Sequence, residues 1–405
     1  MSRTTRFSMG PAALVAAAFI GPGTVVTASL AGANFGYALL WALVFSVLAT
    51  MILQEMAARL GVVTQQGLGE NIRAMATTPW LRWLLLSLII AAVVIGNSVY
   101  QAGNLSGASM GLADLLPAAT ASISALPLVI GGVAASILAS GSYRLVERVL
   151  IGLVVLMSIA FVGTFLLTNP NWSALLKGLL WPTLPTGSVL TVVALIGTTV
   201  VPYNLFLHAS SAAQKWQHVE QLPAARRDLA ISIPLGGLIS IAIVATAAAA
   251  FFGQTIALES AADLGQALRP LFGDYAGYFM AMGLFAAGIS SALTAPLASA
   301  YALSGVMGFK ADLKSWPFRL TWFGILLVGV LIASSGIKPV QVIWFAQVAN
   351  GLLLPLIAVF LLWACNQVRL GKHRNSVRQN LLGVVVVLVA VGLGMRSLAS
   401  AFGLI

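Results

Sequence analysis

The chain has 405 residues, of which 60% are hydrophobic and only 8% charged, and its mean hydropathy is +0.98. Soluble domains carry about a quarter charged residues, so this composition excludes an ordinary soluble protein and indicates a polytopic membrane protein. The formal net charge of +11 reflects topology rather than nucleic-acid binding, because the basic residues gather on one side of the predicted spans.

At roughly 20 apolar residues per crossing there is room for about eleven spans with short links. Hydropathy predicts them near 11–32, 37–59, 81–110, 124–141, 146–168, 187–211, 229–252, 274–306, 319–336, 339–364 and 380–402. The first run follows Arg3 and Arg6, as in a signal peptide, but continues to about Leu30 and reads as an uncleaved span. With the N-terminus inside, 17 of the 21 Lys and Arg residues fall on the cytoplasmic side, leaving Lys177, Arg269, Lys338 and Arg396 outside. An odd number of spans then puts the C-terminus outside. The expected location is a plasma membrane of the bacterial inner-membrane kind, with the lipid bilayer as surroundings. Cys365 is the only cysteine, which rules out an internal disulfide and gives no sign of metal–thiolate chemistry.

Two segments interrupt apolar spans with helix-breaking residues. Ile20-Gly21-Pro22-Gly23-Thr24-Val25-Val26 lies in span one, and Ile196-Gly197-Thr198-Thr199-Val200-Val201-Pro202 lies 176 residues later in span six. Unpaired backbone groups survive at membrane depth only where they are buried in protein or line a polar cavity. Breaks at matching positions of two halves mark the substrate site of an inverted-repeat secondary transporter. Repeat one covers about 11–168 and repeat two about 187–364, of opposite orientation because each holds five spans; the span at 380–402 lies outside both. The whole chain, 1–405, reads as one transporter domain, unwound near 21–24 and 197–202. Longer links are expected at 60–80, 169–186, 212–228 and 253–273; the last, with its edge, includes Glu259, Asp263 and Asp274 on the outer face and reads as a small outer cap or gate.

The sixth-span stretch from Leu195 through Thr198, Val201, Pro202, Tyr203 and Asn204 to His208 resembles the signature of the Nramp divalent-metal transporters, G-A-x-V-M-P-H-N-L-x-L-H-S. Gly21-Pro22-Gly23-Thr24 falls where that family has D-P-G-N. Stretches from Gly283 to Thr294 in span eight and from Gln347 to Pro355 in span ten also fit, so the resemblance runs over essentially the whole chain. It implies an all-α, LeuT-like fold of five plus five inverted helices, with alternating access around spans one and six.

The departures bear on the cargo. In the family an Asp and an Asn of span one, a Met sulfur of span six and a backbone carbonyl coordinate the metal. By resemblance these side-chain positions are Gly21, Thr24 and Val201 here. The family's His before Asn is Tyr203, and its third-span D-L-A-E falls on Gln101-Ala102-Gly103-Asn104, so two carboxylates tied to proton movement have become amides. All ten acids of the chain fall in links or near span ends. Hard divalent cations recruit carboxylates and transition metals prefer imidazole or sulfur, so no dehydrated metal site is expected.

Half-helices starting after each break instead point N–H groups and partial positive charge into the cavity. Gly21, Gly23 and Gly197 allow close backbone approach, with Thr24, Thr198 and Thr199 as hydroxyls and Val201 beside them. Asn204, Gln101, Asn104, Gln347 and Asn350 add amides, although Gln101 and Asn104 also suit interhelical hydrogen bonding, and Thr198 and Thr199 suit bonds to their own helix. This set favours a small polar, zwitterionic or anionic solute. Ser290, Ser291 and Thr294 form a candidate Na⁺ site, with small-residue packing as the plainer reading, and His208 is the candidate proton carrier, with hydrogen bonding in the inner vestibule as its plainer reading. No nucleophile–base–acid set, H-E-x-x-H or phosphate loop occurs, so neither an enzyme nor a cofactor is expected. The expected function is therefore secondary-active transport of a non-metal solute. The alternatives are a divalent-metal carrier of the Mn, Fe or Mg class, and a non-transporting membrane sensor.

Overall fold

The structure, a computed structural model, describes residues 10–12, 15–16, 20–76, 78–116, 125–140, 144–254 and 257–401. Arg3 and Arg6 lie outside the described residues. Within them every regular element is a helix. Eight helices are long and apolar enough to cross a bilayer, and the apolar helices Leu126–Ser140 and Ile151–Leu167 are shorter. The interrupted first span adds to these, so the helices follow the predicted order of eleven. Leu166, Ile231, Leu331 and Leu388 point outward, while Thr27, Ser46, Gln54, Asn97 and Asn204 are buried. A polar interior under an apolar exterior is the arrangement lipid demands, and the chain is an integral membrane protein.

Both broken spans restart on a proline. Span one bends at Ile20 and Gly21, and its second half runs Pro22–Phe35. Span six runs Val189–Thr199, passes through extended Val201, and resumes as Pro202–Lys215. Proline suits a first helical position because its missing N–H has no partner there anyway. The breaks are therefore tighter than the expected 21–24 and 197–202: Gly23 and Thr24 already lie in a helical first turn, and Gly197 to Thr199 in a last one.

Two other features lie beyond what hydropathy indicates. Span three is one continuous run, Pro79–Ile89, a π-helical stretch Ile90–Ile95, and Gly96–Leu115. The links carry short helices, Leu68–Met75, Trp172–Leu180 capped by Asn171, and Ala261–Gly265 in the expected cap. The cap is tied to span three, because Asp114 Oδ2 accepts from the Ala262 N–H at 2.7 Å.

Glycines let helix backbones meet directly. A Cβ on Gly197 would overlap the Gln347 carbonyl and one on Gly351 the Val193 carbonyl, which joins the first half of span six to span ten. Likewise Gly61 of span two meets the Ala209 carbonyl in the second half of span six, and Gly32 of span one meets the Val244 carbonyl of span seven. Small residues at such contacts are the usual basis of close helix packing in lipid.

The face rich in basic residues is closed around the first span. Gly10, Pro11, Ala12, Val15 and Ala16 are all buried. Asp228, near the start of span seven (Leu222–Phe251), accepts from the Ala12 N–H at 2.9 Å and fills the place a Cβ on Gly10 would need. On the same face, buried Arg59 donates to Glu55 and, at 2.6 Å, to both the His373 carbonyl and Asn375 Oδ1; Arg226 reaches Glu55 at 2.7 Å.

Candidate functional site

Gln347 is the residue that brings the two breaks together. Its carboxamide occupies the place a Cβ on Gly23 would take, and its own carbonyl lies against Gly197. Span ten (Pro339–Cys365) thus threads between the broken spans at the level of both interruptions. Pro22, at the first restart, packs on Gly107 of span three, which closes the site from that side.

Around this point the polar groups are neutral and shut off from solvent. Thr24, Thr198, Thr199, Asn204, Gln347 and Asn350 are each at most 2% exposed, and Gly21, Gly23, Gly197 and Val201 are buried. Both carboxamide atoms of Asn204 and of Asn350, and Oε1 of Gln347, lack a hydrogen-bond partner among the described residues. An unpaired buried polar atom costs about 1–3 kcal/mol, and such costs persist where a ligand supplies the partner. The Thr198 hydroxyl donates to the Leu195 carbonyl at 2.9 Å and the Thr199 hydroxyl lies 3.4 Å from the same oxygen. Both hydroxyls are thus tied to their own helix and offer lone pairs rather than protons. The last carbonyls of Val189–Thr199 supply further acceptors, while the first turns after Pro22 and Pro202 supply N–H groups. The site can therefore both donate to and accept from a small polar group.

Other expected members are held elsewhere. Gln101 Nε2 donates to the Ala292 carbonyl of span eight at 3.0 Å, its stem packs on Gly329 of span nine, and Asn104 Nδ2 lies 3.4 Å from Gln101 Oε1. These amides knit span three to spans eight and nine instead of meeting Gln347 between the breaks. Thr294 donates to the Ser290 carbonyl at 3.0 Å, and Ser290 lines a largely apolar cavity together with Ala16 and Ile20 of the first span. His208 is fully buried, with Nδ1 2.7 Å from Gln54 Oε1 of span two and Nε2 without a partner among the described residues. The ring of Tyr203 packs on Tyr100, 5.6 Å between centroids, as a two-ring plug beside Asn204. Among the described residues no group of three His, Cys, Asp or Glu side chains could hold a metal ion.

The family model for natural resistance-associated macrophage protein-like sequences matches residues 12–400. The chain belongs to the Nramp family. It is 30% identical over 404 residues to the divalent metal cation transporter MntH of Pectobacterium carotovorum, covering 97% of this chain and 94% of that protein. Against MntH of Klebsiella pneumoniae the identity is 31%, over 95% and 92% of the two chains. Among solved structures, a mutant of the Eremococcus coleocola manganese transporter superposes with a TM-score of 0.76 at 22% identity, covering 99% of this chain and 89% of that one. MhsT in complex with L-phenylalanine superposes with a TM-score of 0.60 at 17% identity, covering 99% and 100%. This Nramp chain therefore has the LeuT-like fold that the family resemblance implied.

Proposed function

We propose that this Nramp-family protein is a secondary-active transporter that works by alternating access, with its cargo held where Gln347 bridges the two breaks. The geometry favours a small neutral polar, zwitterionic or anionic solute. One observation carries this reading: Gln347 at the bridge, Asn350 one turn further along the same helix and Asn204 of span six are buried with carboxamide atoms that have no partner among the described residues, and Gly21, Thr24 and Val201 supply no carboxylate, imidazole or sulfur. Desolvating an uncompensated ion costs several kcal/mol even after relaxation.

Kinship favours a second cargo, and the comparisons support it more than they support a non-metal solute. The relatives described above are named as divalent metal cation transporters and align over nearly the whole chain. A divalent cation in this site would have to keep much of its water, bound through the carboxamide oxygens and the last carbonyls before Val200, which suits Mg²⁺ better than Mn²⁺. The orientation that follows from the basic residues places the basic face and N-terminus in the cytoplasm and the C-terminus outside. Coupling to a proton would run through His208; otherwise the ion is Na⁺ or transport is uncoupled.

The deciding experiment is a thermal-shift screen of purified protein against Mn²⁺, Mg²⁺, amino acids, carboxylates and inorganic anions, followed by uptake of each hit into proteoliposomes. Saturable uptake of a non-metal hit supports the first reading. Saturable Mn²⁺ or Mg²⁺ uptake that Asn350→Ala weakens establishes the second.

A further inference from the structure

A cleft of about 370 Å³ opens at the basic face, between the link helix Leu68–Met75, the start of span three and the end of span eight. Its walls include Leu85, Leu86, Val306 and Met307, and its rim holds Arg73, Thr78 and Trp83. Among the described residues, Arg73 is the only charged one in the lining. Its guanidinium lies against the backbone of Gly308, at the spot a Cβ would occupy, and Gly308 has φ +79°. Arg73 has no ion pair among the described residues. The neighbouring acid, Glu70, points its carboxylate at Gly305 and Gly67. Trp80 and Trp83 are each 68% exposed at the start of span three, where aromatic rings mark the level of lipid headgroups.

We propose that this cleft binds one anionic phospholipid, its phosphate on Arg73 and Thr78 and an acyl chain along Leu85, Leu86, Val306 and Met307. The occupant is chosen by chemistry. Apolar walls that end at exposed Trp83 and Met307 suit an acyl chain, and a cation at headgroup depth with no carboxylate in the described lining suits net negative charge. A free phosphate would leave the apolar walls unused. A choline headgroup would need an acid or an aromatic cage, and only Trp83 lines the cleft.

The test is native mass spectrometry of the intact purified protein in equal mixtures of phosphatidylglycerol and phosphatidylcholine. The wild type should retain phosphatidylglycerol about fivefold better, the factor expected of one cation near an anionic lipid. Arg73→Gln should remove the preference, whereas Arg374→Gln, which deletes an equal charge from the exposed link before span eleven, should keep it. Trp83→Ala, at an exposed position with little bearing on folding, should lower retention of either lipid at unchanged melting temperature. Equal retention of both lipids by the wild type overturns the proposal, and so does equal loss of preference in both arginine variants. Displacement of phosphatidylglycerol by inorganic phosphate would reassign the cleft to free anions.

Discussion

Gly23 and Gly197 both touch Gln347, yet they present different neighbours to an added side chain. At Gly23 the obstacle is the movable end of a carboxamide; at Gly197 it is the Gln347 carbonyl and, at 2.7 Å, the Gly351 N–H. Gly197→Ala should therefore cost about 1–3 kcal/mol of stability through overpacking, read as a lowered melting temperature. Gly23→Val should leave melting nearly unchanged, since the obstacle is a movable side-chain end, but abolish uptake by displacing the Gln347 carboxamide from the bridge. If uptake survives in Gly23→Val, the bridge is not the cargo site. A complementary expectation concerns the family's ligand positions. The combined variant Gly21→Asp, Thr24→Asn, Val201→Met should bind Mn²⁺ in calorimetry and lose the native cargo, since it supplies the missing charge and sulfur. A folded triple variant that still binds no Mn²⁺ would move the determinant of cargo to Asn350 and Asn204.

At the scale of elements, one carboxylate ties the start of the first span to span seven. Asp228 receives the Ala12 N–H near the start of span one, where a negative charge is stabilised by about 0.3–1 kcal/mol. Asp228→Ala removes both the bond and the charge. In a Cys365→Ser background, maleimide labelling of Ala16→Cys should accelerate by about fivefold, corresponding to roughly 1 kcal/mol for a lost hydrogen bond. An unchanged rate would mean that burial alone holds this half-helix. The elements also differ in how far sequence pattern reveals them. Helix order and both breaks follow from apolar runs and from Gly and Pro. The restart points follow from the preference of proline for a first helical turn, a signal present in Pro22 and Pro202. The π-helical stretch Ile90–Ile95 has no such signal, because Ile-Ala-Ala-Val-Val-Ile is ordinary apolar helix and only its packing widens the turn. The same holds for Gln101 and Asn104: helical spacing puts them on one face, but only tertiary contacts decide that this face meets spans eight and nine.

At the scale of the molecule, the buried imidazole of His208 is linked across two spans to Gln54. If a proton drives uptake, it should do so through this pair. A pH gradient should then stimulate wild-type uptake severalfold and leave His208→Gln unaffected, with the variant melting within a few degrees of the wild type. Steep proton dependence that persists in the variant would place the coupling route elsewhere. Cargo remained the least legible property. Composition and breaks point to a carrier whatever it carries, whereas the choice between a hydrated cation and a polar solute turns on a few neutral side chains around Gln347.

The glycine contacts between helix backbones have a mechanical consequence. The first half of span six is fastened to span ten through Gly197 and Gly351, and its second half to span two through Gly61 and Ala209. Contacts between backbones cannot give by changing rotamers, so each fastened pair should move as one piece. The two non-helical residues between them, Val200 and Val201, are then the flexure joining two stiff bodies. Any rocking of one body against the other must be taken up in the torsions of these two residues, at the place where the cargo sits. Clamping that joint would arrest transport without touching a single ligand atom.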